Sequence, residues 1–182
     1  MGGLDFGFRN PFAAIWGVLD RDDILWITGE YYQHERPLSH HVGKIPRNVE
    51  WYADPSEAGD IAELKVANYT VLPGRNAIRP GIAAVSARLQ EETLRVVHGA
   101  CPNLLREAEF YRYGTDPGTR RSEKPQDNDD HALDALRYLI ASIDVRKLGR
   151  KPKIAGAAAE EEKPARKPWL RLDNEALWRR IW

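Results

Sequence analysis

Cysteine is all but missing: Cys101 is the only one in 182 residues, so no disulfide can form within the chain and a stapled secreted scaffold is excluded. No apolar run approaches the roughly 20 residues that cross a bilayer. The opening Met1-Gly-Gly-Leu-Asp5 holds neither a basic stretch nor an apolar one, so it does not read as a secretory leader. An excess of one charge is missing too, because 27 basic residues balance 27 acidic ones. A neutral sum does not exclude nucleic acid, for which the clustering of charge matters more than its total. The chain contains no Gly-x-x-x-x-Gly-Lys-Ser/Thr loop and no Gly-x-Ser-x-Gly elbow. Nor do His34, His40, His41 and His98 show a ligand spacing, with cysteine or with one another, that suggests zinc.

What is present is a soluble profile, 42% apolar and 30% charged, with clear changes of period along the chain. Leu4 to Gly7 reads as a short strand, and Phe12 to Leu19 as an apolar one. Asp20-Arg-Asp-Asp23 is a polar turn, and Ile24 to Tyr32 is rich in β-branched and aromatic residues, which together make a hairpin. A weak helical signal lies around Ser39 to Lys44. Glu50 to Ala53 is a further strand, stopped at Asp54-Pro55 because proline cannot continue a ladder. Helical spacing then appears at Ile61, Leu64 and Val66, with Ser56 as the expected cap, and again at Ile82, Val85 and Leu89 from about Gly81 to Glu91. Short strands are expected at Tyr69 to Leu72 and Leu94 to Val97, and a helix at Cys101 to Tyr111. An opening hairpin followed by strands separated by helices predicts an α/β fold with a mixed sheet.

The stretch from Gly114 to Asn128 is polar and aperiodic, a long loop of the kind that often carries function. Asp129 to Asp144 predicts the best-defined helix, with Leu133, Leu136, Leu139 and Ile140 as its apolar stripe. Residues 1–145 thus form the expected domain. Residues 146–168, with eight basic residues and three prolines, read as a basic flexible linker, and 169–182 as a tail with a short amphipathic helix. The tail tryptophans would dock on the domain or on a partner.

Three acidic points stand at element boundaries: Asp5 between glycines on the first strand, Asp54 at the carboxyl end of a later strand, and Asp129-Asp130 at the start of the long helix. Taken singly, each has a plain explanation as a turn residue or helix cap. Taken together, carboxylates gathered from separate elements repel one another unless a cation lies between them, and hard divalent ions prefer oxygen ligands. Two such ions about 4 Å apart serve phosphodiester hydrolysis in known enzymes.

The order Gly3-Leu-Asp-Phe-Gly7, Tyr52-Ala-Asp-Pro-Ser56 and Asp129-Asp-His-Ala-Leu-Asp-Ala-Leu-Arg-Tyr138 resembles the C-terminal nuclease domain of the large terminase subunit of tailed bacteriophages. Asn76 to Ile82 and Pro102 to Tyr111 carry weaker parts of the same likeness, which covers about residues 3 to 145. The resemblance implies an RNase H-like fold, with opening antiparallel hairpins, then parallel strands, flanked by helices. It implies an endonuclease that cuts concatemeric double-stranded viral DNA with two Mg²⁺ or Mn²⁺ ions. Asp5 would touch both metals, Asp54 would be the second ligand, and Asp130, with Asp129 beside it, the ligand from the helix. Spacing alone does not choose among Asp129, Asp130 and His131. Asp134 is an outer group of the site or a polar residue satisfied elsewhere. Gly7 would let a phosphate approach the backbone near Asp5. Implied partners are DNA, an ATPase motor domain or chain, the portal and the small terminase subunit, with no membrane, in the cytoplasm of an infected bacterial host. With no phosphate-binding loop of its own, the chain is expected to be a separate or excised domain that cuts DNA without pumping it.

Phosphate contacts are expected from Arg75 and Arg79, and from Arg112, Arg120, Arg121 and Lys124 in and around the long loop, which would form a flap over the DNA. Rival readings are another RNase H-like nuclease of resolvase or integrase type, or a non-catalytic module that binds DNA or the portal. Integrases place a glutamate on the last helix, where this chain has Asp-Asp-His. A sugar-kinase-like ATPase would need a second domain.

Overall fold

The structure, a computed structural model, describes residues 1–111 and 130–150. Strand β1 (Gly2–Asp5) pairs antiparallel with β2 (Phe12–Leu19), and β2 antiparallel with β3 (Leu25–Gln33). The β2–β3 turn is tight because the Asp20 carboxylate accepts the N–H groups of Asp22 and Ile24, both at 2.9 Å, while Asp23 takes the left-handed conformation at φ 67°. A short helix α1 (Leu38–His41) leads to β4 (Glu50–Ala53), which lies parallel to β1. Helix α2 (Ala58–Val66) connects to β5 (Thr70–Pro73), parallel to β4. Helix α3 (Ile78–Gln90) crosses to β6 (Leu94–Val96), parallel to β3 at the other edge. Helices α4 (Pro102–Phe110) and α5 (His131–Arg150) complete the described chain. The sheet order is β5-β4-β1-β2-β3-β6, the mixed sheet expected from the sequence.

Both faces of the sheet are covered, which is why β2 reads as apolar throughout. Ala13 and Ile15 of β2 join Leu136, Leu139 and Ile140 of α5 in one core; Phe12 and Ala14 join Trp51, Ile61 and Leu64 in the other. Helices α3, α4 and α5 contribute to the first core, and α2 to the second. The central contact is α5 on β1. A Cβ added at Gly3 would lie 1.8 Å from the Ala135 carbonyl oxygen, so glycine is what lets the helix axis come this near the strand.

Several local expectations are shifted. Strand β1 ends at Asp5, and Gly7 has already left the ladder. A Cβ on Gly7 would meet the Asn10 and Pro11 carbonyls at 2.5 and 2.6 Å, so the loop's own packing already requires glycine there. Ser56 does not cap α2: its N–H and hydroxyl both donate to Asp54 Oδ1 at 2.8 Å, forming a turn, and Glu57 takes the cap position without a side-chain bond. Val66 and Leu89, expected on apolar faces, are 84% and 58% exposed. Helix α5 runs to Arg150, into the stretch read as the start of the linker. Residues 151–182, and with them the rest of that linker and the tail, lie outside the described residues.

Candidate active site

Strand alternation sets the site. In β1, Gly3 faces α5, so Asp5, two residues on, emerges on the same side. In β4, Tyr52 packs in the α5-side core, so Asp54 follows it there. Leu4 and Ala53 are register partners of parallel strands. Asp5 and Asp54 each stand one residue beyond that pair, at the carboxyl ends of neighbouring strands about 4.8 Å apart. Sites in open α/β sheets collect at such carboxyl ends.

Helix α5 closes the site with residues at helical spacing, 131, 134 and 138, on one face. His131 Nδ1 lies 2.9 Å from Asp5 Oδ2; when Asp5 is ionised it can only accept, and Nδ1 is then the donor. The Tyr138 hydroxyl donates to Asp54 Oδ2 at 3.0 Å and lies 3.5 Å from Asp134 Oδ2. Arg137 grips Asp134 in a two-pronged pair, at 2.9 and 2.7 Å, and also donates to the Asn76 carbonyl at 2.9 Å. The Asn76 amide in turn donates to Asp54 Oδ1 at 3.3 Å. Two hydrogen-bonded groups thus meet α5: the Asp5–His131 pair on β1, and the Asp54, Tyr138, Asp134, Arg137 and Asn76 group that joins the β4 end to the loop before α3.

Charge is distributed unevenly across them. Burial pushes the Asp5 carboxyl above its ordinary range, the bond from His131 pulls it back, and the charge of Asp134 adds to the rise. At Asp54, burial is outweighed by the bonds from Ser56, Tyr138 and Asn76, and the carboxyl is held low. The bond to Asp5 lifts the His131 imidazole above its usual value, against the opposing effect of burial. Burial and the surrounding carboxylates push the Tyr138 hydroxyl far up, so it stays a donor.

Among the described residues, no three carboxylate, imidazole or thiol groups converge closely enough to enclose a metal ion. The donor set nevertheless suits Mg²⁺ or Mn²⁺. It is made of carboxylates and an imidazole, and the conflict between Asp5 and Asp134 is one that a cation relieves. Mg²⁺ in particular is commonly held by one or two carboxylates plus substrate phosphates rather than by a closed protein cage.

Of the residues singled out from sequence, Asp5 ends β1 and Asp54 stands one residue past β4, on the same side of neighbouring strands. Asp130 stands immediately before α5, its carbonyl accepting the first helical bond, from Asp134 N–H at 2.8 Å. Arg75 and Arg79 are exposed and flank Asn76. Asp129, Arg112, Arg120, Arg121 and Lys124 lie outside the described residues. Sequence reasoning passed over Arg137, Tyr138 and Asn76, and left Asp134 open between an outer group of the site and a polar residue satisfied elsewhere. The 131/134/138 spacing was a usable signal; Asn76 had none, because only folding brings it to Asp54. His41, by contrast, is a buried core residue, its ring stacked on Phe12 at 4.1 Å.

The family profile of the terminase RNaseH-like domain matches residues 2–142. Among solved structures, the large terminase of a thermophilic bacteriophage in complex with ATP-gamma-S is 23% identical, with a TM-score of 0.69 over 78% of this chain. This chain spans only 39% of that protein's length. The nuclease domain of the bacteriophage SPP1 large terminase, with bound Mn, is 24% identical at TM-score 0.64, covering 80% of this chain and 85% of that one. The large terminase nuclease from thermophilic phage G20c, with bound magnesium, is 16% identical at TM-score 0.53, over 79% of each chain. A search of curated proteins gives no significant match. The fold is thus RNase H-like, and the chain belongs to the terminase RNase H-like domain family.

Proposed function

We propose that this domain is a divalent-metal-dependent endonuclease that cuts double-stranded DNA during viral genome packaging, working beside an ATPase motor. The observation that carries the reading is the placement of Asp5 and Asp54, each one residue beyond the Leu4–Ala53 register pair of neighbouring parallel strands, with His131 bonded to Asp5 and Tyr138 to Asp54 from α5. The Mn, cobalt and magnesium in solved relatives support the choice of metal class. Two ions bound here would supply activation of a water for attack on phosphorus and stabilisation of the leaving oxygen. Asp5 and Asp54 would hold them, with a helix carboxylate completing the set. Asp134 joins Asp130 and Asp129 as a candidate for that place, because its charge is felt at Asp5 and Tyr138 links it to Asp54. His131 would orient Asp5, Tyr138 would orient Asp54, and exposed Arg75 and Arg79 would meet the phosphate backbone without reading sequence. The ATP-gamma-S complex of the longer relative supports a motor partner; the portal and the small terminase subunit would be further partners on the same reading.

The test is nicking and linearisation of supercoiled plasmid by purified protein in Mn²⁺, Mg²⁺ or EDTA, with Asp5→Ala alongside. Cutting that needs metal and is lost in the variant is expected. A folded wild type that binds plasmid but never cuts it would favour the non-catalytic DNA-binding module, and cutting that survives Asp5→Ala would move the site elsewhere.

A further inference from the structure

We propose that Glu107 is a positioning residue of this site: reaching across from α4, it caps α5 from outside and fixes how His131 and Asp134 are presented to Asp5 and Asp54. Glu107 is buried, 3% exposed, and its carboxylate is fully engaged. Oε2 accepts the N–H groups of Ala132 at 2.8 Å and Leu133 at 3.0 Å; Oε1 accepts the Tyr32 hydroxyl, from β3, at 2.7 Å. The first helical bond of α5 ends on the Asp130 carbonyl, which makes Ala132 and Leu133 the second and third residues of the helix. These are the two N–H groups that a helix's own capping side chain ordinarily takes. Here a residue from another helix takes both, and His131 stands directly before them.

The arrangement passes the sheet's rigidity to the site in two steps. Glu30 of β3 accepts the N–H groups of Asn103 and Leu104 and so holds the start of α4. Glu107, one turn further along α4, then holds the start of α5. The far half of α5 has a separate anchor, the buried Arg88 of α3 paired with Asp144. A carboxylate buried among N–H and O–H donors also sits on the positive end of the helix dipole, which compensates part of its desolvation. Because the dyads His131–Asp5 and Tyr138–Asp54 both depend on the register of α5 against the sheet, loosening its first turn would misplace them together.

This inference rests on the metal-nuclease reading, and its test separates the two. Mn²⁺ affinity by titration calorimetry, kcat and KM for plasmid nicking, and amide hydrogen exchange in metal-free protein would be measured for wild type, Glu107→Gln, Glu107→Ala and Arg88→Met. In Glu107→Gln the carbonyl oxygen still accepts both N–H bonds, so Mn²⁺ affinity and kcat should stay within about threefold of wild type. Glu107→Ala, at a temperature where it is folded, should lose about tenfold or more in both, with KM for DNA little changed, and lose exchange protection over residues 132–136. Arg88→Met should lower Tm, lose protection near residue 144, and keep its Mn²⁺ affinity. If Glu107→Ala does not fold, Glu107→Asp, too short to span the gap, should show the same losses. A folded Glu107→Ala with wild-type affinity, kcat and protection overturns the proposal, as does a fall in Mn²⁺ affinity of equal size in Arg88→Met. Should wild type neither bind Mn²⁺ nor cut, the metal-nuclease reading fails, and unchanged protection at residues 132–136 in Glu107→Ala would still overturn the clamp.

Discussion

Asp130 and Asp134 differ by one helical turn, and the charge of Asp134 acts on Asp5 while that of Asp130 acts on His131. Asp134 shares Tyr138 with Asp54 and raises the Asp5 carboxyl, whereas Asp130 supplies the backbone cap of α5. Asp134→Asn is therefore expected to lower metal-dependent cutting about a hundredfold and Asp130→Asn less than about tenfold, read by plasmid nicking rates at saturating Mn²⁺. The reverse order would return the helix ligand to Asp130. Cys101 offers a prediction independent of the site. Burial, with Glu30 nearby, pushes its thiol up to about 12, and the thiolate is the reactive form. Alkylation of the native protein at pH 8 should be negligible and should become fast on unfolding. The sign of the linkage follows: between the unfolded value of 9.0 and about 12, the unfolded chain releases a proton that the native state keeps. Stability is therefore lost as pH rises through that window, and the Tm of Cys101→Ala should fall less steeply there than that of wild type.

At the scale of elements, α5 is the part on which fold and site both depend. It packs over β1 at Gly3, is capped by Glu107 and is tied to α3 through Arg88. Gly3→Ala puts a methyl into the Ala135 carbonyl, a backbone group that cannot swing aside, with the Leu139 Cβ 3.2 Å away. The expected cost is about 3 kcal/mol, the upper end for overpacking, or roughly 6–12 °C in Tm by calorimetry. A folded Gly3→Ala should also lose Mn²⁺ affinity, because α5 would be lifted off the strand that carries Asp5. Retained Tm and affinity would mean that the helix has room to rotate. The hydrophobic stripe of α5 was legible because a helix buried along one side repeats apolar residues at its own period. Val66 and Leu89 misled for the complementary reason: helical spacing says which residues share a face, not whether a neighbour covers it.

Across the whole molecule, the sheet separates two cores and leaves the acids at one end of its central strands. Metal binding to the folded state alone would stabilise it, by about 2.7 kcal/mol at a hundred times Kd. Wild type should thus gain several degrees of Tm in excess Mn²⁺, with EDTA reversing the gain and Asp5→Asn abolishing it. A Tm unmoved by Mn²⁺ would count against an intact metal centre in the isolated domain. Strand β4 and its stop at Asp54-Pro55 were legible to the residue, and the mixed sheet followed from the change of period after it. The pairing of β6 with β3 was not, because nothing local records which edge a parallel strand joins.

What the sequence determined by itself was the set of elements, the mixed α/β class and the acids at strand and helix ends. Those depend on local period, on turn residues and on proline's missing N–H, all of which act within a few positions. The tertiary structure decided which groups meet. Asp134 faces Asp5 and Asp54 because strand alternation and helix phase are locked together at Gly3. Glu107 reaches α5 because α4 is pinned to Glu30 on β3, more than seventy positions away in the chain. Hydrogen bonds at such separations leave no period in the sequence; they exist only once the sheet has brought their partners within 3 Å of one another.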